Sequence, residues 1–557
     1  MKQLIECVPN FSEGNDMGII KQITDQIESV EGVKLLDVDP GKTTNRTVVT
    51  FVGEPKPVIE AAFLAIAKAK ELIDMSKHKG EHPRMGATDV CPLVPIANIS
   101  MEETAKYAHQ LAKRVGDELE FPVYLYEFAA TQPKRKNLAY VRSGEYEALP
   151  QKLTQEEWKP DYGPAKFDPK AGATAISARN FLVAYNFNLN TTSTRRANAI
   201  AFDVREAGRV KLDEKGKAVL DENGKKIRIP GTLKSTKAIG WFIEEYGIAQ
   251  ISMNLTDISV TSIHVAFDEV ERAARERGIR VTGSELVGLV PKQALIDAGK
   301  HFLCKQERSL GIDEKEIIKI AIKSLGLDEL KPFNPNERII EYLLETDQNR
   351  PLIKMNLTEF ANETASESPA PGGGSISAYM GVLGISLGTM VANLSSHKRG
   401  WDKQWEKFSK IAEHGQSIKD KLLHMVDEDT QAFNKIMDAF SLAKSSDEEK
   451  QIRHKVIQEA TEYATKVPLE VMKLALESMQ PIKEMAEFGN PNSVTDAGVG
   501  ALAARSAVMG AFLNVKINAA GLDDKTLATA IIEEGTLIEE KAKALENEIL
   551  KIVNDKI

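Results

Sequence analysis

Residues 78–89, His-Lys-Gly-Glu-His-Pro-Arg-Met-Gly-Ala-Thr-Asp, are the most chemically dense stretch of the chain and separate a helical pattern from an apolar strand pattern. Two histidines, paired basic and acidic groups, glycines and a proline are typical of a functional loop on an α/β scaffold. His82 carries a titratable imidazole, and we predict that it is a general base. Arg84 places a cation beside it that could bind an anionic substrate.

Two other interpretations of this loop stay open. A lone histidine is more often a surface or capping residue than a catalytic one. The adjacent Pro83 and Arg84 are what favour a catalytic role for His82. The spacing from His78 to His82 would place both rings on one helix face, as a metal site requires. Because Gly80 and Pro83 disfavour a helix there, we expect no metal.

Length and composition set the broad class of the protein. With 557 residues the chain should form roughly two to four domains. Its 42% hydrophobic and 27% charged residues are typical of a globular protein, and a net charge of -9 disfavours a nucleic-acid partner. Cys7, Cys91 and Cys304 lack ligand spacing, which indicates a reducing compartment. Glu6 and Pro9 interrupt the first apolar run, so we expect no signal peptide and a cytoplasmic protein.

One uncharged stretch, residues 376–395, is long enough to cross a bilayer. It is rich in small and polar residues, with Gly381, Gly384 and Gly388 at near-helical spacing. We therefore predict a buried helix packed closely in a bundle and no membrane span.

Residues 1–180 alternate strand and helix patterns and predict a first α/β subdomain. Residues 33–38 and 47–52 are predicted strands around a polar loop over residues 39–46. An apolar stripe predicts a helix over residues 55–74.

Residues 181–326 predict a second α/β subdomain. Its segment Tyr185-Asn186-Phe187-Asn188 echoes Pro9-Asn10-Phe11-Ser12, which indicates an internal duplication, although so short an echo could arise by chance. Two similar sheets facing each other would leave a groove for a ligand. Residues 209–229 predict an inserted, solvent-exposed hairpin.

Residues 163–172 combine glycines, prolines, lysines and a phenylalanine. Such a loop could stack on a flat heterocycle and neutralise carboxylates, or it could be a plain connector between domains. Proline-containing residues 327–352 predict the main linker, with a short helix over residues 336–345. From residue 353 to residue 557 the pattern predicts an all-α bundle.

Two features of the predicted bundle carry potential chemistry. The glycine-rich segment 369–375 leads into the uncharged helix, so its amides and the helix N-terminus could bind an anion, although a flexible turn is the commoner explanation. Residues 426–430 place three carboxylates in one helical turn. Such a run is usually a solvated face, and catalysis requires at least one carboxylate to point inward.

Together these motifs resemble the bifunctional formimidoyltransferase-cyclodeaminase family of folate enzymes over nearly the entire chain. The resemblance in the first half rests on residues 6–14, Asn45-Arg46, residues 80–86, Gly163-Pro164 and residues 172–175. In the second half it rests on residues 370–375, residues 426–429 with Ala432-Phe433, Gly489-Asn490, Gly510-Ala511 and residues 514–518. Two departures are the length of the 209–229 hairpin and Thr495, which stands where a serine is usual.

The resemblance implies a multidomain fold and two consecutive reactions. Two ferredoxin-like α+β sandwich subdomains would form a formimidoyltransferase, which moves the formimino group of N-formimino-L-glutamate to tetrahydrofolate. The helical domain would be a cyclodeaminase that converts the product to 5,10-methenyltetrahydrofolate and ammonia. Only folate is needed, with no metal. Family members form ring-like homo-oligomers that use polyglutamylated folate, whose anionic tail Lys166 and Lys170 could contact.

Site residues follow from the same resemblance. His82 matches the family's catalytic histidine and Asp429 its catalytic aspartate, with Asp427 as a less favoured proton carrier and Gly373 as a supporting residue. Arg84 as a clamp and Asp39 as an orienting carboxylate are our own additions. The segment that matches the folate-binding loop consists of Gly163, Pro164, Ala165, Lys166, Phe167, Asp168, Pro169, Lys170, Ala171 and Gly172.

Two alternatives differ in class from this hypothesis. In the first, only the transferase is active and the helical domain is a non-catalytic assembly scaffold, which Asp429 and the triple glycine disfavour. In the second, the protein binds folate without turnover, and would release no glutamate from formiminoglutamate.

Overall fold

The structure is a computed structural model that describes residues 3–42, 44–80, 83–344 and 350–557. The chain divides into two compact units, Met1–Ala294 with Leu325–Leu344 and Leu295–Ser324 with Glu345–Ile557. The first unit contains two α/β parts and the second is helical. The predicted multidomain organisation, with α/β parts first and a helical region last, is confirmed.

The first sheet has the strand order β3-β4-β1/β2-β5-β7-β6, in which β1 and β2 lie end to end between β4 and β5. β7 pairs parallel with β5 and β6, and the other pairs are antiparallel. Its strands are β1 (Leu4–Cys7), β2 (Asn10–Phe11), β3 (Val33–Gly41), β4 (Arg46–Gly53), β5 (Thr88–Ala97), β6 (Val123–Glu127) and β7 (Thr174–Ala178).

Three amphipathic helices cover one face of this sheet, because their apolar stripes and the inward strand residues form one core. Two shorter helices pack over the β5-β7-β6 end of the other face. One prediction was wrong in detail: Asp39, expected in a polar loop, belongs to β3 and pairs with Val48. The helices are α1 (Met17–Glu28), α2 (Pro55–Leu72), α3 (Met101–Glu118), α4 (Leu138–Val141) and α5 (Glu145–Lys152).

The second sheet is antiparallel, with the order β11-β12-β8-β13. Its succession of strand, helix, two strands, helix and strand repeats that of β1, α1, β3, β4, α2 and β5, as an internal duplication would produce. The short pair β9-β10 stands apart from this sheet. The elements are β8 (Val183–Leu189), α6 (Thr194–Val204), β9 (Arg209–Val210), β10 (Arg228–Ile229), β11 (Thr236–Ile243), β12 (Ile248–Leu255), α7 (Ile263–Arg275) and β13 (Val281–Val287).

The inserted hairpin between β9 and β10 is built from two similar turns. Asp213 accepts backbone N–H groups of Lys215 and Lys217. The Asp221 carboxylate does the same eight positions later for Asn223 and Lys225. Short polar side chains that bond to their own backbone are the turn chemistry that the sequence predicted.

The remaining elements are helices. Two short helices replace the single one predicted over residues 336–345, and Glu345 lies outside the described residues. The helices are α8 (Lys292–Lys305), α9 (Glu314–Leu325), α10 (Pro335–Arg338), α11 (Ile340–Leu344), α12 (Leu357–Thr364), α13 (Gly373–Ser396), α14 (Trp405–Ser441), α15 (Asp447–Phe488), α16 (Val494–Ala520) and α17 (Lys525–Asn554).

Small residues let the bundle helices approach closely. A Cβ on Gly384 would lie 2.8 Å from the Gly500 carbonyl oxygen of α16, and one on Gly388 would lie 2.8 Å from Ile482 of α15. By length and composition, α13 and the stretch Pro491–Ala520 could each cross a membrane, but more than half of the apolar 18-residue window in each is buried inside the bundle. The close packing of α13 accounts for its uncharged composition without a bilayer.

Candidate active sites

The two loops that carry the predicted transferase chemistry are joined by their backbones. The loop that ends at Gly86 meets segment 163–172 at an antiparallel bridge between Gly86 and Gly172, and the next residue, Ala173, donates its N–H to the Met85 carbonyl at 3.1 Å. Gly172 has a φ of +71°, and a Cβ on it would lie 2.2 Å from the same carbonyl oxygen. Only glycine fits this crossing without strain. The structure therefore brings the candidate folate loop against the histidine loop.

His78 is a structural histidine of the loop. Its Nε2 lies 2.8 Å from the Asn45 carbonyl oxygen, and Arg84 Nε donates to its Nδ1 at 3.4 Å. Because a carbonyl only accepts, Nε2 carries the proton and Nδ1 supplies the lone pair. Both ring nitrogens of His78 therefore already have hydrogen-bond partners. His82, our candidate base, lies outside the described residues together with Glu81.

The Arg84 guanidinium does not present a free charge. Nη1 lies 3.1 Å from Glu145, and Nη2 lies 2.7 Å from Glu147, which also accepts from Nη1 at 2.9 Å. Hydrogen bonding to Glu147 raises the pKa of Arg84 despite its partial burial. This fork geometry fastens α5 to the loop, so a substrate carboxylate would have to displace Glu147 to reach Arg84.

Asp89 fixes the other end of the loop, and sequence reasoning assigned it no role. Its fully buried carboxylate accepts the Met85 N–H at 2.9 Å and pairs with Arg142. Burial raises the pKa of Asp89, while the Arg142 and Arg46 cations oppose the shift. The sequence did contain a signal for this role, because Asp89 stands at the start of an otherwise apolar strand. A charge buried at such a position needs hydrogen-bonding or charged partners.

Segment 163–172 is an ordered turn with an exposed outer surface. The Asp168 carboxylate accepts the N–H groups of Lys170 at 2.9 Å and Ala171 at 3.0 Å. The Phe167 ring lies 5.5 Å from that of Tyr146 on α5, and Lys170 Nζ donates to the Glu71 carbonyl at 2.5 Å. The exposed members are Pro164, Ala165, Lys166, Pro169 and Lys170.

Carboxylates of β1 and β3 share the sheet face that points away from α1, α2 and α3. Cys7 belongs to the core beneath those helices, so its neighbour Glu6 points to the opposite face. Asp39 pairs with Val48 and lies on that same face. Glu6 is only 3% exposed, and burial raises its pKa to about 7 although the Arg179 cation opposes this. Sequence reasoning assigned Glu6 no role.

The candidate cyclodeaminase site is a cavity of about 130 Å³ in the helical unit. Asp429 lies in its wall, where Oδ2 accepts the Ser375 N–H at 2.9 Å and the Ser375 hydroxyl at 3.2 Å. Burial raises the pKa of Asp429, and the hydrogen bonds from Ser375 oppose the shift. The cavity is lined by Pro369, Ala370, Gly372, Gly373, Gly374, Asp429, Thr430, Ala432, Phe433, Ile436, Ala464, Asn514 and Asn518.

The triple glycine forms the first turn of α13 and allows this contact. A Cβ on Gly374 would lie 2.1 Å from Asp429 Oδ1. One on Gly373 would lie 3.4 Å from the Asn514 amide nitrogen. Glycine is therefore required at position 374, where the Asp429 carboxylate occupies the space that a Cβ would fill, whereas a Cβ at position 373 would make an ordinary contact.

The other two carboxylates of the run have partners elsewhere. Asp427 is 2% exposed and accepts the N–H groups of Leu352 at 2.9 Å and Ile353 at 3.4 Å. Glu428 is bound by the Tyr463 hydroxyl. The run 426–430 is thus not a solvated face, and Asp429 is the member that reaches the cavity.

Comparison with known proteins covers almost the whole chain. A family model described as the formiminotransferase domain, N-terminal subdomain, matches residues 4–179. A model described as the formiminotransferase domain matches residues 184–345, and one described as formiminotransferase-cyclodeaminase matches residues 356–536.

Individual relatives match either most of the chain or one part of it. A Mus musculus protein named formimidoyltransferase-cyclodeaminase is 43% identical over 94% of this chain and 94% of its own length. A Streptococcus pyogenes serotype M1 protein named glutamate formimidoyltransferase is 43% identical over 54% of this chain and 94% of its own length. A Methylorubrum extorquens protein named methenyltetrahydrofolate cyclohydrolase is 36% identical over 36% of this chain and 95% of its own length.

Proposed function

The chain belongs to the formiminotransferase-cyclodeaminase family, and from this we propose that it is a bifunctional folate enzyme of histidine degradation. The first activity transfers the formimino group of N-formimino-L-glutamate to tetrahydrofolate. The second closes 5-formiminotetrahydrofolate to 5,10-methenyltetrahydrofolate and releases ammonia. The observation that carries the proposal is 43% identity to a protein of that name over 94% of both chains.

In the transfer step, N5 of tetrahydrofolate attacks the formimino carbon and the bond from that carbon to the glutamate nitrogen breaks. The proton lost by N5 must end on the glutamate amine. We assign this proton transfer to His82 as general base and then acid. The support is the resemblance of residues 80–86 to the family's motif and the attachment of loop 78–86 to segment 163–172.

In the closing step, N10 adds to the same carbon and the carbon bond to the terminal nitrogen breaks. The N10 proton must reach that nitrogen for it to leave as ammonia. We assign this proton transfer to Asp429, because it lies in the wall of the cavity and because burial raises the pKa of its carboxyl. Asp427 is less suited because backbone N–H groups hold it. Gly373 is a supporting residue that lines the same cavity.

Folate is the only co-substrate in this proposal, and no metal is assigned. Segment 163–172 is proposed to bind folate, with Lys166 and Lys170 near a polyglutamate tail. Asp39 is proposed as an orienting carboxylate on the sheet face that it shares with Glu6. Arg84 would act as a clamp only if substrate displaced Glu147.

We propose further that each α/β part is a ferredoxin-like sandwich, which the repeated element order supports. The protein would be a cytoplasmic homo-oligomer without nucleic-acid or membrane partners. Large apolar side chains exposed along α13 and α16 support the self-association. They are Leu383, Met390, Leu394, Val499, Leu502, Met509, Leu513 and Ile517.

A coupled assay tests the two activities separately. Purified protein with formiminoglutamate and tetrahydrofolate should release glutamate, ammonia and the methenyl chromophore. His82→Ala should lower glutamate release by roughly 100-fold or more, and Asp429→Asn should leave it unchanged while cyclisation falls by a similar factor. Wild-type cyclisation by Asp429→Asn would mean that the assignment to Asp429 is wrong. Wild-type protein that releases glutamate but does not accelerate cyclisation would favour the scaffold alternative, and wild-type protein without glutamate release would favour a binding protein.

A further inference from the structure

Two amides on α16 face the same cavity as Asp429. Asn514 and Asn518 are four residues apart, so they lie on one face of the helix. Both line the cavity of about 130 Å³ that Asp429 also lines. The proton transfer proposed above gives neither amide a role.

The hydrogen bonds of these amides fix which atom each presents to the cavity. Asn514 Nδ2 donates to the Gly510 carbonyl at 2.9 Å, and Asn518 Nδ2 donates to the Ala464 carbonyl at 2.8 Å. A carbonyl only accepts, so neither amide can turn over without losing its bond and placing two oxygens together. No donor in the described part of the chain bonds to either Oδ1. Each amide therefore offers an acceptor.

Asp429 adds a third acceptor. Its Oδ2 is engaged by Ser375, which leaves Oδ1 beside Gly374 without a described hydrogen-bond donor. The Oδ1 atoms of Asn514, Asn518 and Asp429 thus suit a ligand that donates several N–H groups. A protonated amidine nitrogen carries two N–H groups, whereas a formyl oxygen carries none and would face these oxygens unpaired.

We propose that Asn514 and Asn518 bind the terminal nitrogen of the formimino group and thereby make this site select an amidine over a formyl group. The inference rests on the proposed cyclodeaminase activity and names its specificity-determining residues. Recognition works by attraction of the N–H groups and by repulsion of the formyl oxygen, and the repulsive part excludes the competing ligand.

The test compares two ligands that differ in this group. For Asn514→Ala and Asn518→Ala, kcat/KM for 5-formiminotetrahydrofolate should fall about 10- to 100-fold, the loss expected for a hydrogen bond to a charged group. The inhibition constant of 5-formyltetrahydrofolate should stay unchanged or decrease.

Asn393→Ala is the matched control, because the Asn393 amide donates to the Gly311 carbonyl at 2.8 Å outside the cavity. It should leave both constants at wild-type values. If either cavity variant weakened both ligands by the same factor, the amides would serve the fold or the pterin ring and the inference would be overturned. Wild-type protein that released no ammonia would instead overturn the proposed function, so the two failures are distinguishable.

Discussion

Two aspartates of α14, two positions apart, face different surroundings. Asp427 points inward to the backbone of Leu352 and Ile353, and Asp429 points to the cavity. Composition alone could not separate them, because both stand in one acidic run. Only the family resemblance singled out Asp429. The adjacent residues in the sequence do not show which distant residue a carboxylate contacts in the fold.

Asp427→Ala should destabilise the helical unit. The substitution leaves the Leu352 and Ile353 N–H groups without their acceptor inside the protein, which should cost about 2 to 3 kcal/mol of unfolding free energy. Urea unfolding followed by circular dichroism measures the change. Asp429→Ala is the matched comparison and should cost less, because Asp429 accepts from a single residue, Ser375. Equal losses in the two variants would contradict this assignment.

Glu6 should make stability fall as pH rises. Its folded-state pKa of about 7 exceeds the ordinary value of 4.5, so between these values the unfolded chain loses a proton that the folded chain keeps. The contribution of Glu6 is therefore fully present below pH 4.5 and lost as pH rises through 7. A shift of this size corresponds to about 3 kcal/mol.

Glu6→Gln isolates this effect, because other titrating groups are common to both proteins. The variant should gain unfolding free energy relative to wild type as pH rises from 4.5 toward 8. Chemical denaturation at a series of pH values measures the difference. Parallel pH profiles for the two proteins would show that Glu6 finds a partner or solvent in the folded state.

At the level of elements, the geometry of both sites depends on where a helix begins and on how closely neighbouring segments approach each other. In the first turn of α13, position 374 has no room for a side chain because the Asp429 carboxylate lies against it. Gly374→Ala should therefore push the Asp429 carboxyl out of position and reduce cyclisation at least about 100-fold. Transferase activity, measured as glutamate release, should remain at the wild-type level.

Gly400→Ala is the comparison for Gly374→Ala. A Cβ on Gly400 meets nothing within 4 Å, although its φ of +87° strains any other residue. It should therefore cost some stability without changing cyclisation. A Gly374→Ala variant with wild-type cyclisation would mean that Asp429 has room to move without loss of function.

Periodicity predicted elements well where one face is buried, as for α2, whose apolar stripe packs on the first sheet. It was weaker where polar residues form strands. Asp39 was assigned to a loop because acid, proline and glycine follow one another, yet pairing with β4 overrides that local preference. The hairpin at residues 209–229 was predictable because each of its turns is stabilised locally.

At the scale of the whole molecule, neither compact unit is formed by one continuous segment of the chain. Leu295–Ser324 groups with the helical unit although it precedes Leu325–Leu344, which groups with the α/β unit. The contacts explain this grouping: the Gly311 carbonyl accepts from Asn393 and Gln416, and a Cβ on Gly311 would lie 2.3 Å from Ala412. Long-range packing of this kind leaves no periodic signal in the sequence.

The last prediction concerns the apolar surface of α13 and α16. Leu513 is 67% exposed and Ile517 is 72% exposed, and they stand four residues apart on one face of α16. If a second copy of the chain covers this face, a charge placed there must be buried without a partner. Leu513→Glu and Ile517→Glu should therefore lower the sedimentation coefficient toward that of the monomer while the circular dichroism spectrum is unchanged. Lys541→Glu on the exposed side of α17 makes a larger change of charge and should sediment like wild type. Wild-type protein that sediments as a monomer, or variants that assemble normally, would show that self-association does not use this surface.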